Sequence, residues 1–199
     1  MTTGTRSVSA RPLDQVRREL ARLILDFGYE RREEPFQLSS GGTSHDYIDA
    51  KRAIAKGSRF GLVAEAVQAL AASHGVTFDA AGGMTMGADP IGVAVAMLMD
   101  VEWFSVRKAA KGHGRQRRIE GKEFKPGVRV LLVDDVITSG RSILDALDVL
   151  KEAEAEVVLA TTLVDRGEMA SEEFARRGVL YEPLLTYRDL NIDPVQPAG

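Results

Sequence analysis

The sequence contains no cysteine and only three histidines among its 199 residues. The absence of cysteine excludes disulfides, thiolate catalysis and cysteine-ligated metals. His45, His74 and His113 fall at unrelated spacings, which argues against a metal site built from histidines. No apolar run approaches the roughly 20 residues of a membrane-spanning helix, and MTTGTRSVSA at the N-terminus lacks the apolar core of a signal peptide. We therefore expect a cytoplasmic protein without a membrane partner, whose residues 1–10 form a short disordered lead-in.

The excess of negative over positive charge is also small, since the net charge is −3 and the isoelectric point is near 5.7. A general nucleic-acid binder is normally basic, so this balance argues against nucleic acid as a partner. Hydrophobic residues make up 44% and charged residues 28%, as in ordinary globular proteins. The length suffices for one domain with a sizeable core, which we place at 11–199.

Hydrophobic spacing predicts helices that alternate with strands. Apolar residues recur at three- and four-residue steps over about 12–27, 58–75 and 141–153, which is typical of helices. Short apolar runs such as VRVLLV and EVVLATTLV lie between such segments and are apolar throughout, as expected for strands covered on both faces. PFQLSSGGTSHDYIDAK is typical of a hairpin around a Ser-Ser-Gly-Gly turn. This order predicts an α/β domain with a parallel sheet and an N-terminal helix and hairpin.

The stretch LLVDDVITSGRSI places two adjacent acids, Asp134 and Asp135, after an apolar strand that we expect to end at Val133. Small residues follow at 138–140, and then a helix begins. Backbone N–H groups and hydroxyls at a helix N-terminus favour a phosphate, while paired carboxylates accept hydrogen bonds from vicinal sugar hydroxyls. The combination indicates a ribose-5-phosphate site. Taken alone, an acidic pair is also found at solvent-facing strand ends and in the receiver domains of response regulators, where it lies near the chain start.

The whole stretch resembles the phosphoribosyl-pyrophosphate (PRPP) signature of type I phosphoribosyltransferases. That signature combines an apolar strand, two acids, a short apolar step, Thr, a small residue, Gly and a hydroxyl. Here Arg141 intervenes, so that the hydroxyl stands one place later, at Ser142. The resemblance implies the parallel-sheet, Rossmann-like α/β domain of that family, with a small helix/hairpin hood over about 11–55.

A second segment, 107–121, carries six Lys or Arg residues, one His and one acid in a protein that is acidic overall. Its glycines and polar character predict a mobile loop that closes over a polyphosphate, although a solvated basic loop has the same composition. Arg107, Lys108, Lys111 and His113, followed by Ile-Glu-Gly, resemble the catalytic loop of the orotate phosphoribosyltransferases.

A third strand end carries Asp165 and Arg166, a pairing that is usually a surface ion pair. In orotate phosphoribosyltransferases the matching arginine contacts orotate. FQLSSGGTSHDYID also resembles that family's hood over the base. Four motifs in the family's order thus span about 36–166.

The resemblance implies transfer of the phosphoribosyl group from Mg-PRPP to orotate, with Mg²⁺ carried by PRPP and no dedicated metal ligands. It assigns catalysis to Lys111, His113 and Asp135, and orotate contacts to Thr138 and Arg166. The PRPP-binding residues it implies are Arg107, Lys108, Lys111, His113, Asp134, Asp135, Thr138, Ser139, Gly140, Arg141 and Ser142. It also implies a homodimer in which the lid loop 107–121 acts on the partner's site. The alternatives are a phosphoribosyltransferase for another base and a non-catalytic regulator that senses PRPP.

Two positions depart from the pattern of some family members, which carry lysine where this chain has Ser39 and Gly87. Backbone N–H groups would then do more of the pyrophosphate binding. Asp89 adds a negative charge to the same glycine-rich turn, where either a Mg²⁺ bridge or a helix N-cap before Pro90 would explain it.

Overall fold

The computed structural model describes residues 11–38, 42–109 and 118–195. Its helices are Leu13–Phe27 (α1), Ala50–Ile54 (α2), Gly57–Ser73 (α3), Asp89–Met99 (α4), Arg141–Glu152 (α5) and Met169–Arg176 (α6). Its strands are Tyr29–Gln37 (β1), Thr43–Ile48 (β2), Ala80–Met84 (β3), Glu102–Val106 (β4), Ile119–Gly121 (β5), Arg129–Ile137 (β6), Glu156–Asp165 (β7) and Leu185–Thr186 (β8). None of the helices in these ranges has the length and apolar character needed to cross a membrane.

Six strands form one sheet in the order β5-β4-β3-β6-β7-β8, and all neighbours are parallel except β4 and β5. β1 and β2 form a separate antiparallel hairpin. The predicted parallel-sheet α/β fold is therefore confirmed, and the hairpin stands where the SSGG turn predicted it.

The core lies on both faces of this sheet because successive β6 side chains point to opposite sides. Leu131 and Val133 pack in the same cluster as α1, α3 and α4, whereas Val130 and Leu132 pack with α5 and α6. All four are fully buried. An apolar run without alternation is thus explained by helices that cover both faces.

Three details differ from the sequence predictions. β6 does not end at Val133 but continues to Ile137, because β7 pairs with it as far as Asp165. The end of the basic segment, 119–121, is the antiparallel strand β5 rather than loop. α2 and β8 were not predicted, since five and two residues are too few to show a periodicity.

The sheet reverses its winding between β3 and β6. β3 leads through α4 to β4 on one side, and β6 leads through α5 to β7 on the other. The connections after these two adjacent strands therefore diverge and leave a crevice at their carboxyl ends, which is where open α/β sheets bind ligands.

Candidate active site

Asp134 and Asp135 lie in this crevice, near the end of β6. Asp134 is 4% exposed; its Oδ2 accepts a hydrogen bond from Ser142 Oγ at 2.6 Å and its Oδ1 accepts one from the N–H of Asp135 at 2.9 Å. Burial, and then the charge of Asp135, raise the pKa of Asp134 to about 6, against the opposing effect of these hydrogen bonds. Asp135 is the more accessible acid, and its Oδ1 accepts from the N–H of Val136 at 2.7 Å. The pair thus combines a buried carboxylate with one that faces the crevice.

Lys51, on the short helix α2, completes this cluster. Its Nζ lies 2.6 Å from Asp135 Oδ2. Desolvation acts to lower the pKa of Lys51, but the hydrogen bond and charge of Asp135 outweigh it, so that the pKa is raised. Nothing local in the sequence signals this contact, which joins residues 84 positions apart.

The turn after β6 lines a cleft at the position where the sequence predicts a phosphate cradle. A cleft of about 430 Å³ is lined by Met84, Lys108, Val136, Ile137, Thr138, Ser139, Gly140, Arg141, Ser142 and Asp145. α5 begins at Arg141, and Gly140 before it has φ +71°, a conformation that favours glycine. The start of a helix with this small-residue turn offers N–H groups and hydroxyls to an anion. Five consecutive predicted residues and Lys108 are thus brought together.

The base of the basic segment is fastened to α5. The N–H of Arg107 donates to the carbonyl of Arg118 at 2.7 Å, and Arg118 Nε donates to the carbonyl of Arg107. Both terminal nitrogens of Arg118 contact the carboxylate of Asp145, at 3.0 and 2.6 Å, a two-point contact that fixes orientation. Lys111 and His113 lie outside the described residues.

Arg166 and Asp165 are both 2% exposed, so the usual surface ion pair does not describe them. Arg166 donates from Nη1 to the carbonyl of Asp46 at 2.7 Å and from Nη2 to Ser44 Oγ at 3.0 Å, which ties the end of β7 to the hood hairpin. Its Nε is buried without a hydrogen-bond partner among the described residues. Desolvation lowers the pKa of Arg166.

Asp165 does not pair with the guanidinium beside it. Its Oδ1 accepts from the N–H of Gly167 at 2.9 Å and its Oδ2 from the hydroxyl of Tyr181 at 2.7 Å. Burial raises the pKa of Asp165, and these two bonds oppose the rise. Asp165 therefore holds the chain that leaves β7, while Arg166 holds the hood.

The β3–α4 turn closes the other side of the crevice. A Cβ added to Gly87 would lie 2.7 Å from Asp135 Oδ1, so the backbone at Gly87 approaches the carboxylate pair closely. A lysine at this position would therefore displace the side chain of Asp135. Asp89 lies inside α4, whose N-cap is Ala88, so the N-cap explanation of Asp89 is wrong. Its carboxylate accepts from Thr85 Oγ1 at 2.7 Å and from Ser105 Oγ at 2.8 Å, and so joins the turn to β4. Ser39 lies outside the described residues.

Within the described ranges, no three or more His, Cys, Asp or Glu side chains are grouped so as to hold a metal ion. Hard cations such as Mg²⁺ can be carried by substrate phosphates and water instead.

The chain is similar to known proteins in both sequence and structure. Residues 63–178 match the family model of the phosphoribosyl transferase domain. An orotate phosphoribosyltransferase of Corynebacterium glutamicum (strain R) is 40% identical over 181 residues, which cover 90% of this chain and 96% of the relative. The chain belongs to the phosphoribosyltransferase family.

Solved structures narrow the position within that family. A crystal structure of Mycobacterium tuberculosis orotate phosphoribosyltransferase in complex with Fe(III) dicitrate matches with a TM-score of 0.74 and 35% identity, over 89% of this chain and 99% of that one. The same enzyme in complex with PRPP matches with a TM-score of 0.69 and 31% identity, over 88% and 92%. The chain therefore falls in the orotate phosphoribosyltransferase branch, as the motifs predicted.

Proposed function

We propose that this protein transfers the 5-phosphoribosyl group from Mg-PRPP to orotate, in pyrimidine biosynthesis, and forms orotidine 5′-monophosphate and pyrophosphate. The observation that carries the proposal is the hydrogen bond from Ser142, which lines the cleft at 138–142, to Asp134 of the carboxylate pair, in the crevice between β3 and β6. The orotate phosphoribosyltransferases at about 40% identity support the choice of base.

Asp134 and Asp135 would accept hydrogen bonds from the ribose hydroxyls, and the turn 138–142 would bind the 5′-phosphate. Breaking the bond between the anomeric carbon and pyrophosphate builds positive charge on the ribose and negative charge on the leaving group. The carboxylates suit the first charge and the cationic groups Arg107 and Lys108 suit the second, so catalysis rests on positioning and electrostatics. Mg²⁺ would enter with PRPP and supply positive charge to its phosphates.

Lys111 and His113 would close over the pyrophosphate, and one of them would donate the proton to it. Orotate would lie under the hood and contact Thr138 and Arg166. The bonds from Arg166 to Ser44 and Asp46 support this placement, because they hold the hood against the strand end that carries the arginine.

A homodimer whose lid loop 107–121 acts on the partner's site belongs to the same proposal. An apolar groove of about 640 Å³ between α3 and α4 supports it, with Met97 81% exposed and Val93 and Leu98 beside it. Apolar surface of this kind favours association. Light scattering should then give a dimer for the native chain and a monomer for Met97→Glu. Cytoplasmic location remains a prediction.

The reaction is tested by the loss of orotate absorbance when protein, Mg²⁺, PRPP and orotate are mixed, with Lys111→Ala as the inactive control. Turnover of uracil or a purine in place of orotate would indicate another phosphoribosyltransferase. PRPP binding without turnover of any base would indicate a PRPP sensor.

The trans arrangement is tested by mixing Asp135→Asn and Lys111→Ala subunits. One site of each mixed dimer would then combine an intact carboxylate pair with an intact loop, and part of the activity should return. The absence of recovery in verified mixed dimers would contradict a lid that acts in trans.

A further inference from the structure

Lys51 has no part in the roles assigned above, although it touches the carboxylate pair. It lies in the first turn of α2, whose N-cap Asp49 accepts a hydrogen bond from the N–H of Arg52 at 2.9 Å. This cap fixes the start of the helix. From there the lysine Nζ reaches Asp135 Oδ2 at 2.6 Å, across 84 positions of sequence. The contact therefore links the hood side of the molecule to the strand end that would bind the ribose.

Among the described residues, each of the four carboxylate oxygens of Asp134 and Asp135 accepts one hydrogen bond. Asp134 is held by Ser142 and by the N–H of Asp135, and Asp135 is held by the N–H of Val136 and by Lys51. Lys51 is the only cation that hydrogen-bonds to either carboxylate among the described residues. A carboxylate oxygen has more than one lone pair, so Asp135 can hold the ammonium and a ribose hydroxyl together.

We propose that Lys51 is a positioning residue for PRPP: its ammonium holds the Asp135 carboxylate in place for the ribose hydroxyls and offsets its negative charge while a polyanion enters the crevice. The inference rests on the proposed function. Without the ammonium, two adjacent negative charges would face a substrate that is itself strongly negative. With it, one of those charges is neutralised before PRPP arrives.

The surroundings of the pair leave this role to Lys51. Among the described residues, Lys51 interacts electrostatically with both acids and also with Asp49 at the start of α2, and Tyr181 from beyond β7 interacts with Asp134. The turn before α4 presents the backbone of Gly87, and α5 presents the hydroxyl of Ser142. Lys51 acts to lower the pKa of Asp134, which burial and Asp135 raise to about 6.

The test compares Lys51→Met, Lys51→Arg and the wild type, with Lys56→Met as a matched control. Lys56 is exposed, and its side chain makes no hydrogen bond or ion pair among the described residues. Initial rates are measured with PRPP varied from pH 5.5 to 8.5, and PRPP binding is measured by calorimetry. Thermal unfolding of each variant shows whether the fold is intact.

Lys51→Met should weaken PRPP binding and raise its KM by about tenfold, with the KM for orotate nearly unchanged. The acid limb of kcat/KM for PRPP should move to higher pH, because the charge of Lys51 no longer lowers the pKa of Asp134. Lys51→Arg should preserve both values. A merely structural role would not move the acid limb.

An unchanged KM and acid limb in Lys51→Met would overturn the proposal, and so would tighter PRPP binding, which would make Lys51 a competitor of the ribose. Failure of the proposed function is distinguishable, because the wild type would then not consume orotate. The calorimetric comparison still decides the role of Lys51 in that case.

Discussion

Replacing Asp134 by asparagine should stabilise the protein at alkaline pH while it removes activity. Asparagine keeps the local geometry, since its Oδ1 can accept from the N–H of Asp135 and its Nδ2 can donate to Ser142 Oγ. What disappears is a buried charge next to a second acid. The ribose hydroxyls would lose a charged acceptor at the same time, so orotate turnover should fall steeply.

The magnitude follows from the pKa of Asp134, which is raised from 3.8 to about 6 by burial and by Asp135. Two pKa units correspond to roughly 3 kcal/mol of unfolding free energy. The sign follows from proton binding. Between about pH 4 and pH 6 the unfolded chain releases this proton and the folded chain keeps it, so stability falls as the pH rises. The penalty is complete above pH 6 and absent below pH 4.

Urea unfolding monitored by the fluorescence of Trp103, the single tryptophan, measures this difference. At pH 8 Asp134→Asn should gain roughly 2 to 3 kcal/mol over the wild type, and near pH 4 the gain should vanish. Asp193→Asn serves as the control because Asp193 is exposed. An equal gain at both pH values, or none at pH 8, would refute the argument that a buried charge opposes folding here.

Three further substitutions test the supports of the site. Arg118→Ala should lower kcat/KM for PRPP by about tenfold, because it removes the ion pair that holds the basic segment against α5. Arg177→Ala removes another ion pair to the same helix and should leave kcat/KM unchanged in the same assay. Gly87→Ala should raise the KM for PRPP, since the new methyl group displaces Asp135, and a native KM would contradict that contact. Arg166→Gln should lower the melting temperature and raise the KM for orotate, because the hood loses its buried donors; a lower melting temperature with an unchanged KM would limit Arg166 to anchoring.

The features predictable from sequence are those that one short segment defines. The alternation of helices and strands follows from hydrophobic spacing, and the cradle at 138–142 follows from small residues between an apolar run and a helix. Both predictions depend only on residues that are close together in the sequence. The position of this cradle at the sheet reversal was not predicted, because it depends on the order of the strands in the sheet.

The features that sequence did not predict depend on contacts between distant residues. The contact of Lys51 with Asp135 spans 84 positions, and that of Arg166 with Asp46 spans 120. The hydrophobic periodicity of the sequence carries no information about such pairs. The extension of β6 past Val133 has the same origin, because a partner strand decides how long the pairing continues. Asp165 and Arg166, adjacent in sequence, serve different partners for this reason too.

The hydrogen bonds between Arg107 and Arg118 limit the distance that the chain between them can span from the end of β4. Only ten residues, 108–117, lie between two positions whose backbones are hydrogen-bonded at 2.7 Å. A chain that must go out and return can advance by half of its length, roughly 17 Å at full extension. A partner served by this loop, as proposed, would therefore bring its bound pyrophosphate within about that distance of the end of β4. In the proposed dimer, the chain length between Arg107 and Arg118 would thus restrict which faces of the two subunits can meet.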